Sequence, residues 1–154
     1  MVATDISTGE AADRLAIRGL IDAWAHCADR RTPHEQAALF VPDGTVTVYQ
    51  GDPATTEPVQ RLRGRAQLAE AFTVLDTYDV TTHFNGQSTI ALDGDRATGE
   101  SYCLAHHVFV EDEQRTLMVI SIRYLDTFTR GDKGWLFAER RLVTDWTDKR
   151  PSTA

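Results

Sequence analysis

The chain has 154 residues, 42% of them hydrophobic and 25% charged, with a formal net charge of −7. That length suits one domain burying roughly two thirds of its unfolded surface, so no disulfide staple is required. The acidic balance excludes nucleic acid, which wants a basic face, and no apolar stretch is long enough to cross a membrane as a helix.

Residues 1–9 and 148–154 are small, polar or proline-containing and are expected to be flexible tails around a single domain over 10–147. The first ten residues lack a basic region followed by an apolar one, so no signal peptide is read and the expected location is the cytoplasm. Helix one is expected from Glu10 to Cys27, with Thr8 as its cap and Leu15, Ile17, Leu20, Ile21 and Trp24 at helical spacing. Asp29 to Pro33 is a polar break, and a short second helix follows over His34–Phe40. Pro42-Asp43-Gly44 reads as a turn. The alternating, β-branched Thr45–Gln50 reads as a strand. The Pro-, Thr- and Gly-rich Gly51–Pro58 reads as a loop long enough to form a rim. A third helix is expected over Gly64–Leu75.

Strands follow over Thr81–Leu92, Arg96–Val110, Gln114–Arg130 and Gly134–Asp145, separated by turns at Asp93-Gly94-Asp95, Glu111–Glu113 and Arg130–Gly134. Helices first and a long meander afterwards imply an α+β fold: a conical barrel with the N-terminal helices in the concave face of a strongly curved mixed or antiparallel sheet. Such a cone is a natural site for a small hydrophobic organic molecule. Cys27 and Cys103 have no CxxC spacing. They are expected to be free thiols in a reducing compartment, with one long-range disulfide left open by the sequence. No HxH, HExxH or glycine-rich phosphate loop occurs, so neither metal nor cofactor is expected.

The order of elements resembles the SnoaL-like (nuclear-transport-factor-two-like) family, whose members include dehydratases, a dehydrochlorinase and polyketide cyclases. The resemblance spans about Ala11–Thr147. It is carried by Asp13-Arg14-Leu15-Ala16-Ile17-Arg18, by Asp29, by Thr82-His83-Phe84 and by Gly134-Trp135-Leu136-Phe137-Ala138-Glu139-Arg140-Arg141. It implies a His–Asp pair, with His83 on the first meander strand facing the cone and Asp29 holding the imidazole. It also implies an assisting arginine on the last strand, which Arg140 matches best. Trp24 stands where some members carry a lysine on helix one, a departure that weakens a halide-leaving reaction.

A neutral imidazole at position 83 suits general-base work at neutral pH, and strand alternation places His83, Asn85 and Gln87 on one face. Without a partner, His83 is an ordinary strand histidine and Asp29 a helix-terminal aspartate pairing with Arg30 or Arg31. Adjacent Arg140 and Arg141 cannot share a face. Arg140 is inward if Leu142 and Thr144 line the cone, and Arg141 is inward if Phe137 and Glu139 do. Of His106 and His107, the resemblance favours His107 inward, together with Ser101, Cys103 and Ala105. Tyr124 shares parity with Ile120 and Ile122 and offers a hydroxyl to polarise a carbonyl. Trp24, Tyr49, Val46, Cys103, His107, Ile122 and Leu142 complete the expected substrate-binding set.

The function expected is a cofactor-independent lyase or isomerase, dehydratase- or cyclase-like. A non-catalytic binding or interaction module of the same fold is the alternative. Apolar residues on both sheet faces (Val108, Val110, Leu117, Val119) lead us to expect a homodimer or homotrimer.

Overall fold

Helix α1 spans Thr8–Arg30 and begins with a reciprocal cap: the Ser7 hydroxyl accepts from the Glu10 backbone N–H while the Glu10 carboxylate accepts from that of Ser7. Ser7, not Thr8, is therefore the cap, and residues 7–9 are ordered rather than tail. The computed structural model describes residues 7–153, so the expectation for residues 1–6 lies outside it. The face of α1 bearing Ile17, Leu20, Ile21, Trp24 and Ala28 is buried. Leu15, expected in that stripe, is 73% exposed.

After α1 come α2 (Pro33–Ala38), β1 (Phe40–Gln50), β2 (Gln60–Arg63), α3 (Arg65–Phe72) and a 3₁₀ turn over Thr73–Thr77. The long strands β3 (Val80–Asp93), β4 (Arg96–Glu111), β5 (Gln114–Gly131) and β6 (Gly134–Pro151) complete the chain. The sheet order is β2-β1-β6-β5-β4-β3. Among the described residues only β1 and β6 run parallel, so this is an α+β fold with a mixed sheet, curled around the helices without closing. Among the described residues no helix is long and apolar enough to cross a membrane. Ile17, Phe40, Leu68, Phe128 and Phe137 form the fully buried centre of the core.

Several boundaries depart from expectation, each for a local reason. Pro42-Asp43-Gly44 is an irregularity inside β1, not a turn before it, because the pairing with β6 shifts between Phe40 and Thr45. The four residues of β2, too few to show a period, pair with Thr45–Val48. The supposed tail from Asp148 continues β6 to Pro151, its backbone paired with β5 from Val119 to Thr116 while its side chains remain exposed. Polar composition there reflects an exposed strand end rather than a loose one.

Bulges also reset the alternation of faces. A register shift between Asn85 and Ser88 turns Gln87 outward, contrary to the expectation that it follows His83 and Asn85, and brings Ser88 and Ile90 inward. In β6 the shift around Ala138 lets both Phe137 and Arg140 be fully buried, so Arg140 faces inward and Arg141 outward although Phe137 also lies inside.

Candidate active site

Asp29 sits in the last turn of α1, and α1 is laid along β3 by polar contacts spaced down its length. The Arg18 guanidinium donates to the Gly86 carbonyl at 2.9 Å, and the Asn85 amide donates to Asp22 Oδ1 at 2.9 Å and to the Ile21 carbonyl at 3.3 Å. The Arg14 guanidinium donates to the Ile90 carbonyl. That clamp delivers the Asp29 carboxylate to His83. Oδ1 lies 2.7 Å from the His83 ring Nδ1 and Oδ2 accepts the His83 backbone N–H at 2.9 Å, while the Thr81 hydroxyl donates to Oδ1 at 2.9 Å. Burial pushes the Asp29 carboxyl up, but the backbone and ring hydrogen bonds of His83, its charge and the Thr81 hydroxyl outweigh this. They hold it below the usual carboxylate range. An ionised acceptor at Nδ1 assigns the proton to that nitrogen and leaves Nε2 with the lone pair.

His83 lines a cavity of about 280 Å³. Its walls are largely apolar: Trp24 from α1, Val46 and Val48 from β1, Phe72, Val74 and Leu75 from α3 and the turn after it, and Ile122, Tyr124 and Leu142 from the sheet. The polar exceptions are His83, His107, Gln36, Gln60, Thr144 and the Tyr124 hydroxyl. A larger, shallow hollow of about 370 Å³ lies outside, lined by Thr89, Thr98, Glu100, Thr127 and Arg141, and it holds no histidine. Of the two, the deeper cavity is the one that brings histidines to a largely apolar wall.

His107 faces the same cavity, its ring 5.6 Å from that of His83 and 4.3 Å from that of Tyr78. Neither of its ring nitrogens has a hydrogen-bond partner. Burial first, then the charges of His83 and Arg31, pull its pKa down to about 4, so it is neutral at pH 7. Burial also raises the Tyr124 hydroxyl well above its ordinary value, which keeps it a protonated donor.

The remaining expected site residues fall into two groups. Trp24, Val46, Ile122 and Leu142 line the cavity. Tyr49, Cys103 and Arg140 do not. Tyr49 alternates with cavity-facing Val46 and Val48, so it points to the outer face. Cys103 faces inward but packs in the core beside Tyr124, where burial pushes its thiol up to about 11.

Arg140 is the largest correction. It faces inward, yet it is 0% exposed, and it makes paired 2.8 Å hydrogen bonds to Asp126 from Nε and Nη2. Its guanidinium lies 3.9 Å from the Tyr124 ring centroid, 4.3 Å from that of Phe137 and 4.8 Å from that of Trp24. Aromatic rings seal it away from the cavity. Asp126, its partner, was not anticipated, although its β5 position two residues from Tyr124 puts it on the inward face. Gln36 was also missed: its amide donates to the Trp24 carbonyl at 3.4 Å, and nothing in its exposed-helix sequence context signals a buried pocket residue.

Comparison with known proteins follows the same lines. A family model described as a SnoaL-like domain matches residues 9–141. An uncharacterised protein of Mycobacterium tuberculosis is 27% identical over 137 residues, covering 88% of this chain and 87% of its own. Among solved structures, a Novosphingobium aromaticivorans protein provisionally described as a scytalone dehydratase is 25% identical, with a TM-score of 0.76 over 94% of this chain and 91% of its own. A type-three hexachlorocyclohexane dehydrochlorinase from Novosphingobium barchaimii is 19% identical, with a TM-score of 0.74 over 94% and 92%, a likeness of fold alone.

Proposed function

The chain belongs to the SnoaL-like family, and from that premise we propose that it is a cofactor-independent lyase or isomerase acting on a small, hydrophobic organic molecule. The observation that carries this reading is the 2.7 Å contact of Asp29 with His83 at the wall of a largely apolar, solvent-reachable cavity. Dehydration is the reaction the groups fit best. Nε2 of His83 takes a proton from a carbon next to an electron-withdrawing group, and Asp29 stabilises the imidazolium. The carbon–oxygen bond at the neighbouring position then breaks. The imidazolium returns its proton to the departing oxygen, which leaves as water, and the ring is regenerated. Tyr124 and His107 contribute polar groups for orientation, and Trp24, Val46, Ile122 and Leu142 bind the apolar body of the substrate.

The test is turnover on a panel of small β-hydroxy ketones, followed by mass spectrometry for loss of water or, in deuterated solvent, for exchange at the acidic carbon. Wild type is expected to act on at least one member, and His83→Ala and Asp29→Asn to lose that activity. Full activity in both variants, or binding without any turnover or exchange, would turn the assignment toward a binding module.

Two further expectations are carried forward as part of this proposal. Cys27 and Cys103 are both free and buried, which supports a reducing, cytoplasmic setting. Self-association as a homodimer is supported by Phe84, Leu104 and Trp146, which stand exposed on the outer face along one cross-strand row. Light scattering returning a mass of 17.2 kDa, that of a single chain, would end that idea.

A further inference from the structure

Arg31 combines two features that the proposed reaction does not use. Its backbone is left-handed, with φ 58°, at the residue after α1 where glycine or asparagine is usual. Its side chain also gathers neighbours from three segments. Nη1 donates to the Ala28 carbonyl at 3.1 Å and to the Thr81 hydroxyl oxygen at 2.6 Å, and Nη2 donates to the Tyr78 carbonyl at 3.3 Å. Nε stands 3.7 Å from the Asp76 carboxylate.

The bond to Thr81 has a directional consequence. A hydroxyl that accepts from a guanidinium, which can only donate, keeps its single proton for another acceptor. That acceptor is Asp29 Oδ1, at 2.9 Å. Arg31, Thr81, Asp29 and His83 thus form one chain, in which Oδ1 receives Thr81 and the His83 ring while Oδ2 receives the His83 backbone.

We propose that Arg31 is a positioning residue of the pair: acting through the Thr81 hydroxyl, it fixes the Asp29 carboxylate against the His83 ring and draws part of its charge away. This rests on the reading of Asp29 and His83 as the working pair. The charged and titratable groups facing His83 are Asp29 at the end of α1, Arg31 just beyond it, and His107 and the deeper Cys103 and Tyr124 from β4 and β5. Removing either the cation or the hydroxyl leaves Asp29 a stronger partner for the imidazolium, so His83 should hold its proton more tightly. A side chain that merely filled space would not move that equilibrium in this direction.

The experiment is a ¹⁵N NMR titration of the His83 ring in the free, full-length protein, which needs no substrate. Thr81→Val removes the hydroxyl at nearly constant volume. Arg31→Gly removes the guanidinium at a φ that glycine adopts freely, so the helix end is retained. Each is expected to tighten proton binding at His83 by about threefold to tenfold, with Thr81→Ser staying at the wild-type midpoint. Asp29→Asn is expected to weaken proton binding. Unmoved or lowered midpoints in Thr81→Val and Arg31→Gly, with Asp29→Asn behaving as expected, would overturn this inference and leave the pair intact. An unmoved midpoint in Asp29→Asn would sink the pair and this inference with it.

Discussion

Two acid–base pairs occupy the same inward face of the curled sheet, and they differ in what surrounds them. Asp126 and Arg140 are 4% and 0% exposed as residues, forked together and covered by aromatic rings. Asp29 and His83 are nearly as well bonded, but Nε2 of His83 is left over on a cavity wall. The first pair joins a permanent cation to a carboxylate whose pKa burial pushes above its ordinary value, and rings cover the guanidinium. The second joins a carboxylate to an imidazole whose other ring nitrogen is left for the cavity. Burial of opposite charges alone therefore does not mark a reactive site. What sets the second pair apart is its access to a cavity.

The largest effect that would sharpen this contrast is kinetic. His83→Ala and Asp29→Asn should each cost roughly a hundredfold to ten-thousandfold in turnover, with the folded circular-dichroism spectrum retained. Similar losses from a sealed-pair variant that is fully folded would break the comparison. Next comes stability. Asp126→Ala or Arg140→Ala should cost about 3–5 kcal/mol in urea unfolding, because each leaves a buried charge uncompensated. The double replacement Asp126→Leu with Arg140→Met should recover most of that loss.

The smallest effect concerns His107. An unfolded histidine takes up its proton near pH 6.5, whereas folded His107 resists protonation until about pH 4. Between those values the unfolded chain binds more protons, so stability falls as pH drops through the window, by on the order of 3 kcal/mol at most. Above pH 6.5 the contribution is level. His107→Gln should flatten that part of the stability–pH curve, and an unchanged slope would show that His107 is not the group resisting protonation.

Much of this could be read from the chain, because long-range order followed from local pattern. The 3.6-residue spacing of Ile17, Leu20, Ile21 and Trp24 and the turn residues of the meander suffice for helices packed in a curved sheet. Resemblance, rather than pattern, brought Asp29 and His83 together, since nothing local links residues 54 apart in sequence. What stayed hidden depended on the third dimension or on interrupted alternation. Tyr49 does not line the cavity, and its parity, opposite to that of Val46 and Val48, already put it outside. Which of Arg140 and Arg141 faces inward stayed open, and the sealing of Arg140 was not legible, because Asp126, Tyr124 and Trp24 are distant from it in sequence. Gln87 was misassigned because a bulge has no dependable residue signature.

That bulge carries a further consequence. Upstream of it, β3 aims Thr81, His83 and Asn85 at the helix and the cavity. Downstream, with the phase reset, Ser88 accepts from Arg18 while Ile90 and Leu92 pack against the core. One strand therefore serves as two rulers joined out of step, so the reacting half and the packing half need not agree in parity. Deleting a single residue at Gly86 or Gln87 would restore one phase throughout, with His83 on one side of the join and Ile90 and Leu92 on the other all kept on the inward face.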